Sequence, residues 1–160
     1  MKKLISIRAI AALQAYGATV MNSSAALDSQ GMTLASGDSA SPEVFTSITE
    51  LSNIDGPGGQ ATEIDVTDLL STAKEYRQGL KDEGDVTCDM NYIPQNTQHA
   101  LLQSDRSGQV LRNYRITFTD SPATTWTFLG FVKGLSISNG VDNVTKGSLT
   151  IRVAGDIAVA

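Results

Sequence analysis

Residues 124–153, TTWTFLGFVKGLSISNGVDNVTKGSLTIRV, decide the fold. They read as two long strands hinged on Asn139-Gly140. Asn-Gly between alternating apolar runs is a strong hairpin signal, because both residues tolerate the positive φ of a type I′ turn. On the return strand Leu149, Ile151 and Val153 alternate with Thr150 and Arg152, which gives one apolar and one wet face. The outgoing strand is less regular. Trp126 and Phe128 point one way, whereas Leu129 and Phe131 straddle the phase. That pattern predicts burial on both faces or a bulge near Gly130.

Working outward, the chain has 160 residues, enough for one domain with an appendage. A hydrophobic content of 41% supplies a single core, and 18% charged residues is too few for a disordered chain. Residues 1–26 carry Lys2, Lys3 and Arg8 and no acid. The body, residues 27–160, carries nine bases against seventeen acids, a net of −8. A body so acidic is no electrostatic clamp for nucleic acid, although it suits the wall of a passage where repulsion prevents sticking. The single Cys88 excludes an internal disulfide, and Cys88 with the single His99 cannot close a Cys/His zinc site.

The first 26 residues form an N-terminal extension. Lys2-Lys3 followed by LISIRAIAALQAYGATV has the outline of a short signal peptide, with Ser23–Ala25 as its candidate cleavage region. Arg8 and Gln14 interrupt the apolar run, so a short amphipathic helix or a start site placed too far upstream stand as alternatives.

Along the body, strands are predicted at 31–35, 44–54 and around Ile64 and Val66, with Asp55-Gly56-Pro57-Gly58-Gly59 breaking the second from the third. Residues 68–84, DLLSTAKEYRQGLKDEG, have no stable period of their own. A strand follows at 85–93, with Val86, Cys88 and Met90 alternating inward. Residues 95–104 form the one helix, capped by Asn96 and stopped by Gly108, and 110–119 form a strand with Tyr114, Ile116 and Phe118 inward. Trp126, Tyr114, Phe118 and Met90 are therefore expected in the core. The order gives a mainly β fold, an antiparallel sandwich or barrel with one flanking helix.

Nothing in the chain composes a reactive site. The DGPGGQ loop lacks the Gly-Lys-Ser/Thr of a phosphate cradle and precedes a strand, so it reads as a turn. Asp82, Glu83, Asp85 and Asp89 lack the spacing of a calcium loop and read as an acidic rim. His99 reads as a capping or packing residue, Cys88 as a small buried hydrophobe, and no G-x-S-x-G elbow supports a serine nucleophile. The expectation is a structural protein, not an enzyme, with no catalytic residue, metal, cofactor or small-molecule substrate.

The succession ELSNIDGPGG (50–59), EIDVTDLLSTAKEYRQGLKDEGDV (63–86), NYIPQNTQHALL (91–102), LRNYRITFTD (111–120), TTWTFLGFVKGLSIS (124–138) and GSLTIRV (147–153) resembles the major tail tube proteins of long non-contractile-tailed, lambda-like bacteriophages. The resemblance covers residues 27–157, and its ordered set, with STAKEYRQGL between short strands, is specific. It implies a tail tube β-sandwich domain over 27–160 that forms hexameric rings. The rings stack into a tube, strands of all six subunits close an inner β-barrel, and the genome leaves through it. It also implies a place in the virion tail, assembly in the host cytoplasm, and tape measure, tail terminator and distal tail proteins as partners. Genomic DNA would pass without specific binding. A phage-derived particle or secretion apparatus would share the fold, and a secreted adhesin-type sandwich would need a working signal peptide.

Two residue sets follow from this reading. The aperiodic 68–84 segment mixes charge with apolar side chains, which an interface would satisfy, so Leu70, Lys74, Tyr76, Arg77 and Leu80 are the expected subunit contacts. Polar positions of the long strands, Thr46, Thr49, Glu50, Ser136, Ser138 and Asp142, are the expected lumen residues, and a one-residue slip in phase would turn them to the other face.

Overall fold

A computed structural model describes residues 26–160. All of the extension but Ala26, with its signal-peptide alternatives, lies outside the described residues. Ten strands and one helix follow in the order β1 (Thr33–Gly37), β2 (Phe45–Ser47), β3 (Leu51–Asp55), β4 (Gln60–Asp65), β5 (Tyr76–Asp82), β6 (Asp85–Asn91), α1 (Thr97–Gly108), β7 (Leu111–Thr117), β8 (Thr125–Ser138), β9 (Lys146–Val153) and β10 (Ala158–Val159).

All but β4 and β5 belong to one antiparallel sheet of order β2-β1-β7-β8-β9-β6-β3, with β10 on β8. The two outermost strands, β2 and β3, are consecutive and joined only by Ile48–Glu50. Within those three residues Ile48 N–H donates to the Leu34 carbonyl (2.8 Å) and the Glu50 carbonyl accepts from Asn91 N–H (2.9 Å). The sheet thus curls until its two ends meet, as a sandwich or barrel requires. The predicted single strand over 44–54 is two strands, because Glu50 takes a left-handed φ of 64° and redirects the chain from one end of the sheet to the other.

Strand β8 shapes the rest. Its first half pairs β7 from Thr125↔Thr117 to Phe131↔Leu111, and its second half pairs β9 from Gly130↔Val153 to Ser138↔Lys146. The expected irregularity is real but sits between Val132 and Gly134, at Lys133, rather than at Gly130. Gly130 stays in register for a different reason: a Cβ there would stand 2.8 Å from the Arg152 carbonyl oxygen. The hinge between β8 and β9 also differs from expectation. Seven residues, 139–145, connect the strands instead of an Asn-Gly pair, and the left-handed residue is Asp142 (φ 59°), inside a turn closed by Asn143 N–H on the Gly140 carbonyl (3.3 Å).

The core fills the inside of the curl. Leu34, Val86, Cys88, Met90, Tyr114, Ile116, Phe128, Leu149 and Ile151 are buried, and the Tyr114 and Phe128 rings stack at 5.9 Å. The inward alternation read for β6, β7 and β9 is the observed one. Trp126 and Phe118, also expected in the core, are only partly buried and meet edge-to-face at its margin, 5.0 Å apart. Cys88 is fully enclosed, and burial pushes its thiol up to about 12. A thiol reagent is therefore expected to modify Cys88 only on unfolding, so labelling should track the denaturation curve; full labelling of the native protein would contradict this burial.

Helix α1 seals the end where the sheet closes. Asn96 caps it, accepting from Gln98 and His99 N–H, as expected. It runs to Gly108, and the left-handed residue that ends it is Gln109 (φ 53°), whose N–H bonds the Asp105 carbonyl. His99 is buried, stacks on Tyr92, accepts Ile93 N–H at Nδ1 (3.0 Å) and places Nε2 3.1 Å from the Thr49 carbonyl oxygen. A neutral ring carrying its proton on Nε2 satisfies both contacts and ties α1 to the β2–β3 corner.

Candidate functional site

Strands β4 and β5 pair only with each other, from Gln60↔Asp82 to Asp65↔Tyr76, and form a ribbon apart from the main sheet. The segment expected to lack order by itself is thus half strand within the single subunit. Its apolar period is hidden because both faces are open to solvent and an extra residue interrupts the ladder between Ala61 and Glu63. At the tip, Val66 N–H reaches the Glu75 carbonyl (2.9 Å), and the Asp68 carboxylate accepts from Leu70 N–H (2.8 Å) and the Ser71 hydroxyl (3.1 Å). Those bonds, the Leu70 amide first, hold the Asp68 carboxyl below its ordinary range.

The arm is built from local polar bonds with no share in the core, yet it displays large apolar side chains. Leu69, Leu70 and Leu80 are 105%, 90% and 88% exposed, and Tyr76 is half-exposed. Lys74 stands 3.7 Å from Asp65 across the ribbon, and Arg77 is exposed on the face opposite Tyr76. All five expected contact residues lie on this arm and are exposed in the single subunit.

The arm's root is fixed by charge. Gly84, with φ 75°, turns the chain from β5 into β6. Arg152 on β9 donates from Nη2 to both oxygens of Asp82 (2.7 and 2.6 Å) and from Nη1 to Asp85 (3.2 Å). Lys133, the bulged residue of β8, donates to the other Asp85 oxygen at 2.6 Å. Lys133 first, then Arg152, keeps the Asp85 carboxyl below its ordinary range, whereas for Asp82 the Gly84 amide leads and Arg152 follows. Carboxyls depressed in this way add stability above the ordinary carboxylate range and lose it as the pH falls through their folded values. Asp82 and Asp85, read from sequence within an acidic rim, are thus engaged by cations.

The second surface is the open side of β8, β9, β6 and β3, opposite the core. Cross-strand rows run Ser136–Ser148–Asp89 and Ser138–Lys146–Asn91. Ser52, Asp89, Ser136, Ser138, Lys146 and Ser148 line a shallow groove of about 260 Å³. Glu50 joins this side by accepting from the Asn91 amide at 3.1 Å. Of the six expected lumen residues, Glu50, Ser136 and Ser138 come together here. Asp142 lies in the loop beyond the strand ends. Thr46 lies on β2 opposite Ser36, at the far end of the sheet, and the Thr49 hydroxyl accepts from the helix-capping Asn96 (2.9 Å). The β2–β3 corner at Glu50 separates them, and no two-residue alternation reveals such a corner.

Both edges of this four-stranded part lack a strand partner among the described residues. Beyond Phe131, β8 has β9 on one side and no strand on the other, and β3 pairs only with β6. Sequence reasoning missed the Asp82–Arg152–Asp85–Lys133 cluster. The one available signal was the alternation that puts Arg152 on the wet face of β9, level with the acidic start of β6.

Comparison with known proteins follows the same lines. The profile of the family described as phage tail tube, lambda-like, matches residues 25–160. No curated protein matches the chain. Among solved structures, the chain is similar to one in the tail of an empty gene transfer agent particle with C6 symmetry, at 11% identity and a TM-score of 0.69, over 84% of this chain and 99% of the other. A chain of the SPP1 tail tube is 9% identical, with a TM-score of 0.65 over 84% and 78%. One from the sheath-tube complex of an extracellular contractile injection system is 13% identical, with a TM-score of 0.64 over 98% of each. At such identities the likeness is one of fold.

Proposed function

The chain belongs to the lambda-like phage tail tube family and is a structural subunit of a virion tail, and from this we infer that six copies close into a ring and that rings stack into the tube. The observation that carries the reading is the four-stranded part of the sheet, β8-β9-β6-β3, wet on one side, packed on the other and, among the described residues, with no strand paired beyond β3 or beyond the second half of β8. An exposed strand edge is an aggregation hazard unless another strand covers it, and a closed barrel removes every edge. Pairing the bare edge of β8 with that of β3 in the next subunit turns six such sheets into one continuous barrel with the hydroxyl-rich side inward. The C6 symmetry of the gene transfer agent tail supports the number.

The arm supplies the remaining contacts. Leu70, Tyr76 and Leu80 are too exposed to serve the subunit itself, so they, with Lys74 and Arg77, engage a neighbouring subunit or ring. Glu50, Ser136 and Ser138 line the lumen, through which genomic DNA passes solvated and without specific binding. Assembly takes place in the host cytoplasm around a tape measure protein, with tail terminator and distal tail proteins joined at the two ends. Electron microscopy of the purified chain at high concentration should show rings and stacked tubes with a central channel; particles that remain monomeric at every concentration and salt would refute the reading.

A further inference from the structure

We propose that Asp85 masks the cations of the channel wall, so that DNA meets paired rather than free positive charge; this rests on the lumenal placement of the open face. Three cations stand on that side of the sheet: Lys133, Lys146 and Arg152. Any of them free in a narrow passage would neutralise a phosphate and release its counterions, which is the main source of affinity in non-specific DNA binding. Asp85 lies in a cross-strand row with Arg152 and Phe131 and reaches both neighbouring cations, Lys133 at 2.6 Å and Arg152 at 3.2 Å. The Lys133 bulge serves this purpose. An extra residue in β8 brings the ammonium over β9 to a carboxylate two strands away.

Arg152 is doubly held, since Asp82 takes its other nitrogen. Lys146, at the far end of β9, has no ion pair among the described residues and is the one cation on this face left to solvent. Among the described residues the wall therefore offers one free cation per subunit, repeated at the ring spacing, and loss of Asp85 would add Lys133 beside it and weaken the hold on Arg152.

The test uses tubes assembled from the full chain and a short fluorescent DNA duplex, either open-ended or capped at both ends by streptavidin so that it cannot enter a channel. Asp85→Asn tubes are expected to retain the open duplex about tenfold or more above wild type at low salt, to lose it as salt rises, and to gain nothing for the capped duplex. Adding Lys133→Gln should return retention to the wild-type level, and Asp85→Glu should never depart from it. If Asp85→Asn alone prevents assembly, tubes assembled from mixtures of wild-type and Asp85→Asn subunits take its place, with retention expected to rise with the share of the variant. Variant or mixed tubes that retain no more open duplex than wild type, or that retain capped and open duplex alike, would overturn the masking. Failure of the wild-type chain to form tubes, visible in micrographs before any DNA is added, would instead overturn the tube reading on which it rests.

Discussion

Replacing residues 62–80 by Asn-Gly should abolish tube formation while leaving the subunit folded. Ala61 and Lys81 face each other across the ribbon, so a two-residue turn can close the shortened hairpin with no strain on the sheet. Asp82 is retained, and with it the bonds to Arg152 and Gly84 that set the root. Every residue removed is exposed except Ser71 and Gly79, which are half-buried, and none belongs to the core cluster. Surface segments of this kind contribute little to folding, so the thermal midpoint should move by no more than a few degrees. Assembly should respond very differently. The excision removes Leu69, Leu70 and Leu80, the most exposed leucines among the described residues, together with Tyr76 and Arg77. Aromatic and Arg side chains dominate interface energetics, and losing several in each subunit multiplies over every contact of a ring. Sedimentation and electron microscopy give the readout. Tubes of normal length from the excised protein would remove the arm from assembly, and an unfolded product would show that it serves the fold instead.

Single substitutions within the arm are expected to be graded. Leu69 and Leu70 sit at the tip, held by the Asp68 turn, whereas Tyr76 and Arg77 lie where β5 begins and face opposite ways. A ribbon with apolar and charged groups on both sides can be gripped from two directions, which suits a contact threaded between neighbours better than one laid on a flat surface.

How much of this could be read in the sequence follows from where alternation survives. Strands β6, β7 and β9 have one dry and one wet face, and their inward residues, Val86, Cys88, Met90, Tyr114, Ile116, Leu149, Ile151 and Val153, were legible one by one. Asn96 as the helix cap was legible for the same kind of reason, since capping is a local bond that a small set of side chains can accept. The errors fall where the chain bends. A left-handed Glu50 splits one apparent strand into two, and a left-handed Asp142 makes a loop of what looked like an Asn-Gly turn. Glu50 does not advertise positive φ, and Asp142 does so less strongly than the Asn139-Gly140 pair that precedes it. The expected lumen residues were scattered by the first of these corners, since Thr46, Thr49 and Glu50 look contiguous in sequence, but Thr46 and Thr49 precede the corner that Glu50 makes. The arm's location was legible from its missing period, but its strand structure was not, because a ribbon wet on both faces has no alternation to display.

Arg112→Ala is expected to be the most damaging single polar substitution in the subunit. Asp105 is 3% exposed and sits in the last turn of α1, where the helix dipole disfavours a carboxylate. It is tolerated there because Arg112, at the start of β7, grips it from Nε (2.7 Å) and Nη2 (2.8 Å). The third nitrogen of the guanidinium donates to the Gly37 carbonyl at 2.9 Å, so one side chain ties α1 to β7 and to the end of β1. This fork-to-fork geometry needs Arg; a lysine offers one point of charge and cannot reach all three oxygens at once. Proximity to Asp105 raises the Arg112 pKa, so the guanidinium stays charged at every pH at which the protein is folded. Removing it leaves the carboxylate buried and unpaired, a change that costs about 3–5 kcal/mol. That is a large share of the stability of a domain this size and should lower the urea midpoint by about 1 M or more, since unfolding free energy falls by roughly 1–3 kcal/mol per molar urea. Asp105→Ala should cost about as much, because the guanidinium is then the stranded charge. The double replacement Asp105→Leu with Arg112→Met should recover most of the loss, since apolar groups of similar volume do not require the pair's desolvation to be offset. If the single and double variants were equally unstable, the contribution would lie in the packing of these side chains rather than in their charge, and urea titrations of the three variants decide between the two.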